Sequence, residues 1–285
     1  MMLGGIVHGT GSSLACPDWP TCYGSLIPKM QGNVAIEHSH RLLASTVGLL
    51  TIFLMILLFK SEQKKLKRLG IVALILVIVQ GVLGGITVLY QLPDLVSTAH
   101  LGTSMLFLST LVWVAWETTP SLQRRGQGEV SQDPSRPPLC KGRWIIFVTT
   151  IIYLQILLGA FVRHTGSGIV CTTFPTCYAS LWPSGVDPSV LLHMSHRWMA
   201  VLVVGLVASV PLVLRKHFIN DSRVLFLSVA AVFFVFLQFL LGILSVVTSL
   251  GLVWVTAHLL VAALLLETMV SLVFLYVLDG RKLSF

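Results

Sequence analysis

The chain has 285 residues, of which 55% are hydrophobic and only 11% charged, with a formal net charge of +8 and a mean hydropathy of +0.88. A soluble domain carries about 25% charged residues, so this chain lacks the polar surface to face water all round. No alternating segments of about ten residues suggest a membrane barrel, and no cleavable leader pattern is present.

In chain order, "MMLGGIVHG" opens the sequence and reads as the last turns of a helix. An outer loop, 8–35, follows with Cys16 and Cys22, both inside "TGSSLACPDWPTCYGSLIP". A membrane helix needs about 20 consecutive apolar residues, and the first such run is 36–59, headed by "IEHSHR" with Glu37, His38, His40 and Arg41. Runs 70–89 and 95–116 come next, the second headed by "STAH" with His100. A stretch rich in Pro, Gly, Ser and Gln, 118–143, reads as a linker. Beyond it lie run 144–162, loop 163–190 with Cys171 and Cys177, and run 191–214 headed by "LHMSHR" with His193, His196 and Arg197. Runs 222–247 and 252–278 complete the set, the last with "VTAH", His258 and Glu267. Seven spans make this an all-α integral membrane protein.

The positive charge is a topology signal. Threading the seven runs alternately places fifteen of the nineteen Lys and Arg on one side, in 60–68, 118–143, 215–223 and the tail. The positive-inside rule makes that side, and the C-terminus, cytoplasmic. The cysteine loops are then extracytoplasmic, as in a prokaryotic inner membrane, and nothing suggests nucleic acid as a partner. Arg41 and Arg197 sit near outer helix ends, against this bias.

The sequence repeats. Residues 10–28 match "TGSGIVCTTFPTCYASLWP" (165–183), "EHSHR" matches "HMSHR", and "STAHL" matches "VTAHL" (255–259). Both copies run the same way through the membrane, so a pseudo-two-fold axis along the membrane normal is expected. The expected division is residues 1–117 as the first bundle, 118–143 as a cytoplasmic linker, and 144–285 as a four-helix second bundle. The odd helices share "QGVLG" (80–84), "QILLG" (155–159) and "QFLLG" (238–242), and Gly4 aligns with Gly159. The first bundle is therefore expected to lack most of its first helix, with the N-terminus of the sequence as given on the outer side.

A histidine inside a membrane span is costly and signals function by default. His40, His100, His196 and His258 lie at similar depth and pair within each copy. Two imidazoles on facing helices can hold a haem iron from both sides; interhelical histidine hydrogen bonds are the plainer alternative. A zinc site wants three or four ligands, and each copy offers two clear ones. Arg41 and Arg197 suit the two haem propionates, or else an interfacial position. Glu37 lies three residues before His40 on the same face, where the second copy has His193. It suits a general base or a stabiliser of developing positive charge; a carboxylate favoured by the helix N-terminus is the alternative. His38, two residues from His40, is expected to point away toward lipid or a neighbour, and His8 and His164 align one residue apart. Cys16/Cys22 and Cys171/Cys177 share one spacing, and the oxidising compartment outside an inner membrane suits two loop-closing disulfides, either structural or redox-active.

Taken together, the loop "TGSSLACPDWPTCYG", "EHSHR" and "TAH", repeated with "CTTFPTC", "HMSHR" and "TAH", resembles the haem A synthase family over nearly the whole chain. The resemblance implies two four-helix bundles and a membrane oxidoreductase that converts haem O to haem A, turning a ring methyl into a formyl group through hydroxylated intermediates. By the same resemblance, His40 and His100 would hold the substrate haem O with Glu37 as the catalytic acid group. His196 and His258 would hold a permanent haem b and its iron, and the Cys16/Cys22 loop would lie over the substrate side. Membrane lipid, haem O and haem A are the implied partners, with haem O synthase, oxidase assembly proteins and a second copy of the chain as candidates.

The chief alternative is a non-enzymatic di-haem b-type cytochrome, which would have no need of an acid in one site only. A haem farnesyltransferase would need clustered aspartates for a magnesium diphosphate, and the six aspartates here are scattered singly.

Overall fold

Each apolar run forms a helix because a chain in lipid has no water to satisfy its backbone and must close its hydrogen bonds within the segment. The structure, a computed structural model, describes residues 1–119, 139–183, 187–215 and 222–275. Among these residues are α1 (Met2–Gly9), α2 (Gly32–Phe59), α3 (Lys64–Leu89), α4 (Asp94–Thr118), α5 (Leu139–His164), α6 (Pro188–Leu214), α7 (Ser222–Val247) and α8 (Leu252–Val273). Seven of them are long and apolar enough to cross a membrane. The protein is an all-α integral membrane protein. Most of the linker, residues 120–138, and the end of the last run with the tail beyond it, 276–285, lie outside the described residues.

Several helices extend beyond their apolar runs. Helix α2 begins four residues before Ile36, and α3 begins at Lys64, inside the basic stretch. Apolarity marks the part of a helix that meets lipid, whereas the hydrogen-bonded ladder continues into polar residues. Helix α6 starts with its own device: Pro188 opens it and Asp187 accepts a hydrogen bond from the Ser189 amide at 2.7 Å.

The repeat is legible in the packing. Helix α1 packs against α2 and α8, and α5 packs against α6 and α4. Each leading helix thus reaches across to the last helix of the other copy, as a pseudo-two-fold relation requires. The largest buried core joins α5 to α8 and takes in Met105 of α4. By contrast, α2 and α3 present Leu49, Leu50, Phe53, Ile75 and Ile78 outward, which is what a lipid-facing surface demands.

Both outer loops fold alike. Each starts at a glycine with positive φ, Gly11 and Gly166, where a Cβ would be strained. Each then closes a Thr–Ser hydroxyl pair, Thr10–Ser12 at 2.7 Å and Thr165–Ser167 at 2.9 Å. Disulfides join Cys16 to Cys22 and Cys171 to Cys177. The cysteine ending each bridge exchanges backbone hydrogen bonds with a serine three residues on, Cys22 with Ser25 and Cys177 with Ser180.

Candidate functional site

The four histidines occupy matching steps of their helices: the ninth residue of α2 and of α6, and the seventh of α4 and of α8. All four are half-buried. His40 and His100 lie within electrostatic reach of each other, as do His196 and His258.

Each histidine faces a glycine. A Cβ built on Gly4 would stand 3.4 Å from Cε1 of His40, and one on Gly84 3.2 Å from Cε1 of His100. The same atom would stand 2.6 Å from His196 on Gly159 and 3.2 Å from His258 on Gly242. These are the aligned Gly4 and the closing glycines of the three Gln-x-x-Leu-Gly motifs. The glutamines of those motifs meet the same histidines. The Gln80 side-chain amide lies 3.3 Å from His100 Nε2, and that of Gln238 3.2 Å from His258 Nε2. Gln155 donates to the His196 carbonyl at 2.9 Å. His258 Nδ1 lies 3.1 Å from the Gln238 backbone carbonyl. A proton on Nδ1 satisfies that contact and makes Nε2 the acceptor, which the Gln238 amide meets and which a metal would take in its place. The motif was visible in the sequence, but its role as a seat for the imidazoles was not.

The surroundings fit an iron porphyrin. The side-chain oxygens of Gln80, Gln155 and Gln238, and Nδ1 of His100 and His196, are buried without hydrogen-bond partners. Buried polar atoms left so are rare and call for an explanation. Glycine at each contact removes the side chain that would crowd the imidazole.

The structure places Glu37 and Arg41 together beneath the first loop. Glu37 is 3% exposed. Its Oε1 accepts from Arg41 at 2.5 Å and its Oε2 from the Cys16 amide at 2.7 Å. The Arg41 guanidinium also donates to the carbonyls of Asp18 and Thr21, each at 2.6 Å, and of Cys16 at 3.0 Å. Arg197 binds its own loop in the same way, donating to the carbonyls of Cys171 at 2.6 Å and Thr173 at 2.8 Å. Both arginines therefore rivet a loop to a helix, a role the sequence reading did not assign them. The terminal N–H groups of Arg41 are all engaged, and Nε of Arg197 is buried without a partner.

The first loop also reaches α3 beside the seat of His100. Trp19 lies so near Gly85 that a Cβ there would stand 2.9 Å from the indole, one residue from the glycine that faces His100. Asp18 shapes this loop, accepting from the Thr21 hydroxyl, from the Tyr23 amide at 2.6 Å and from the Gly24 amide at 2.9 Å. The Thr21 hydroxyl bond and the amide bonds hold its carboxyl down to about 2.

Three other histidines meet partners that the sequence did not name. Of the two settings expected of His38, lipid or a neighbour, it takes the second: it is 5% exposed and lies against the Cys16–Cys22 bridge. Period alone placed it on the far face of α2, and the loop folds back over that face. His8 and His164, one residue out of register in the repeat, meet edge to face with ring centroids 5.1 Å apart.

A family model described as cytochrome oxidase assembly protein (COX15-CtaA) matches residues 31–270. The chain is similar to proteins named haem A synthase. That of Symbiobacterium thermophilum is 34% identical over 218 residues, 73% of this chain and 68% of that protein. That of Lysinibacillus sphaericus is 30% identical over 272 residues, 93% of this chain and 87% of that protein. That of Bacillus pumilus is 27% identical over 266 residues, 90% and 83% of the two chains. With its paired histidines and riveted loops in register across nearly the whole length, the chain belongs to the COX15-CtaA family of cytochrome oxidase assembly proteins.

Proposed function

We propose that this protein is a membrane oxidoreductase of haem A biosynthesis that oxidises a porphyrin methyl of haem O to the formyl of haem A, for cytochrome oxidase. The observation that carries the reading is the asymmetry of two otherwise matched sites. Each has a histidine pair seated on glycines, and only the first has a buried carboxylate, Glu37, where the second has His193. The names of the relatives support the same assignment.

In this reading residues 1–117 form the substrate half, with His40 and His100 as axial ligands of haem O. Residues 144–285 hold haem b between His196 and His258, which when bound would supply one-electron transfer. The Gln238 carbonyl orients His258, and the Gln80 and Gln238 amides approach the nitrogens that would ligate. Glu37 is the acidic group of the substrate half. Its charge is balanced by Arg41, and each of its oxygens keeps a second lone pair for a proton or a developing cation. Trp19 and the disulfide loop exclude water from the first site. The propionate contacts expected of Arg41 and Arg197 fall to their Nε–H groups. The basic loops face the cytoplasm and the cysteine loops face outward.

The test is haem extraction from cells with and without the gene. Deletion should leave haem O and remove haem A, and Glu37→Ala should retain haem binding yet lose conversion. Unchanged haem A on deletion would favour the di-haem cytochrome.

A further inference from the structure

The Cys16–Cys22 bridge has a buried neighbour that its counterpart lacks. A ring nitrogen of His38 and the sulfurs of Cys16 and Cys22 lie within 4.8 Å of one another, all three residues buried. Nδ1 of His38 has no hydrogen-bond partner. At the equivalent place in the second copy, Met194 is fully buried against Cys171 and Cys177. Packing alone is thus satisfied by a thioether there. An imidazole does the same packing only by leaving a buried nitrogen unpaired, so packing does not account for it.

We propose that, once the bridge is reduced, Cys16, Cys22 and His38 form a site for a thiophilic d10 cation, Zn(II) or Cu(I). Two thiolates and one imidazole are the donors such ions prefer. Around a zinc ion these donor atoms stand roughly 3.5–4 Å apart, so opening the bridge and a small closing movement complete the set. Reduction takes two electrons and two protons from a dithiol, which leaves as its own disulfide, while the S–S bond becomes two thiols. Binding then releases the two thiol protons and forms two metal–sulfur bonds and one metal–nitrogen bond. Arg41 does not oppose the cation as a free charge, because Glu37 pairs with it. The site would join the loop, through Cys16 and Cys22, to α2 through His38, and its formation would hold that loop closed as the disulfide does. The second loop offers no matching zinc site, since Met194 in place of His38 is a poor zinc ligand.

The test uses the purified full-length protein in detergent, reduced with a phosphine because a dithiol would compete for the metal. Zn(II) or Cu(I) is added, the thiols are alkylated, and the peptides are weighed. Zn(II) is expected to slow alkylation of Cys16 and Cys22 by roughly tenfold, in line with ordinary ligand effects on affinity, and to leave Cys171 and Cys177 unchanged. His38→Phe should abolish the difference. His38→Met, which installs the residue of the second copy, should do the same for Zn(II) and serves if the phenylalanine variant fails to fold. Equal alkylation of the first pair with and without either cation overturns the proposal. So does equal Zn(II) protection of both pairs, or undiminished Zn(II) protection in His38→Met. The haem spectrum is recorded separately, so failure here and failure of the haem reading are distinguishable.

Discussion

A single methyl group separates a seated histidine from a displaced one. At Gly159 an added Cβ would stand 2.6 Å from His196 Cε1, too close for any real contact, whereas at Gly48 it would meet nothing within 4 Å. Gly159→Ala is therefore expected to move His196 and to weaken or shift the low-spin haem signal of the purified protein, while Gly48→Ala leaves it unchanged. An identical spectrum in both variants would show that the glycines are not seats for the imidazoles. The histidines were legible in the sequence because an ionisable group in a span is conspicuous. Their glycines and glutamines were legible only as a repeated motif, since small and uncharged residues announce no chemistry until a partner is seen against them. For His38 the sequence left lipid or a neighbour open, because a two-residue step fixes the face of a helix and says nothing of what a loop lays over that face.

The outer loops show how an element can be copied while its electrostatics diverge. Both are closed by a disulfide and both are held by an arginine from the helix below. Asp18 is private to the first. In the second loop Thr173 takes its place and donates to the Thr176 carbonyl at 2.7 Å. The Asp18 carboxyl is held down to about 2, below the ordinary value of about 3.9. A depressed carboxyl contributes stability that is complete above its unfolded value and is lost as pH falls through its folded one. Exchange protection of the Tyr23 and Gly24 amides, corrected for intrinsic rates, should thus be flat from about pH 8 to 5 and fall between about 4 and 2. Loss of protection already at neutral pH would show that another group governs the loop. Asp18→Asn should remove most of the acid-dependent step. The loops' disulfide pattern was readable from spacing and compartment; their anchoring was not, because it runs to backbone carbonyls, which every residue carries alike.

At the scale of the whole molecule, the two copies meet along α4 and α8, with α1 and α5 crossing to the opposite partner. The repeat in the sequence announced the symmetry but not the seam, because the side chains that bond across it differ between the copies. Ser109 donates to Glu267 at 2.8 Å, and Trp116 Nε1 donates to the Ser271 hydroxyl at 2.9 Å, which in turn donates to the Glu267 carbonyl at 2.8 Å. Toward the same end, Lys65 pairs with the buried Glu117 and lies over the Trp113 and Phe274 rings. Lipid offers helices no hydrophobic reason to associate, so packing and interhelical hydrogen bonds must hold such a seam. Each bond is weak: coupling between partners in membrane bundles averages about 0.6 kcal/mol and reaches about 1.7. A double-mutant cycle of Trp116→Phe and Ser271→Ala, read by denaturation in detergent, should fall in that range, with the pair together costing less than the sum of the singles. Coupling near zero would mean that shape alone joins the copies. Coupling within the range would mean that a few polar contacts set the register of α4 on α8, and with it the relative placement of His100 and His258, which those same two helices carry.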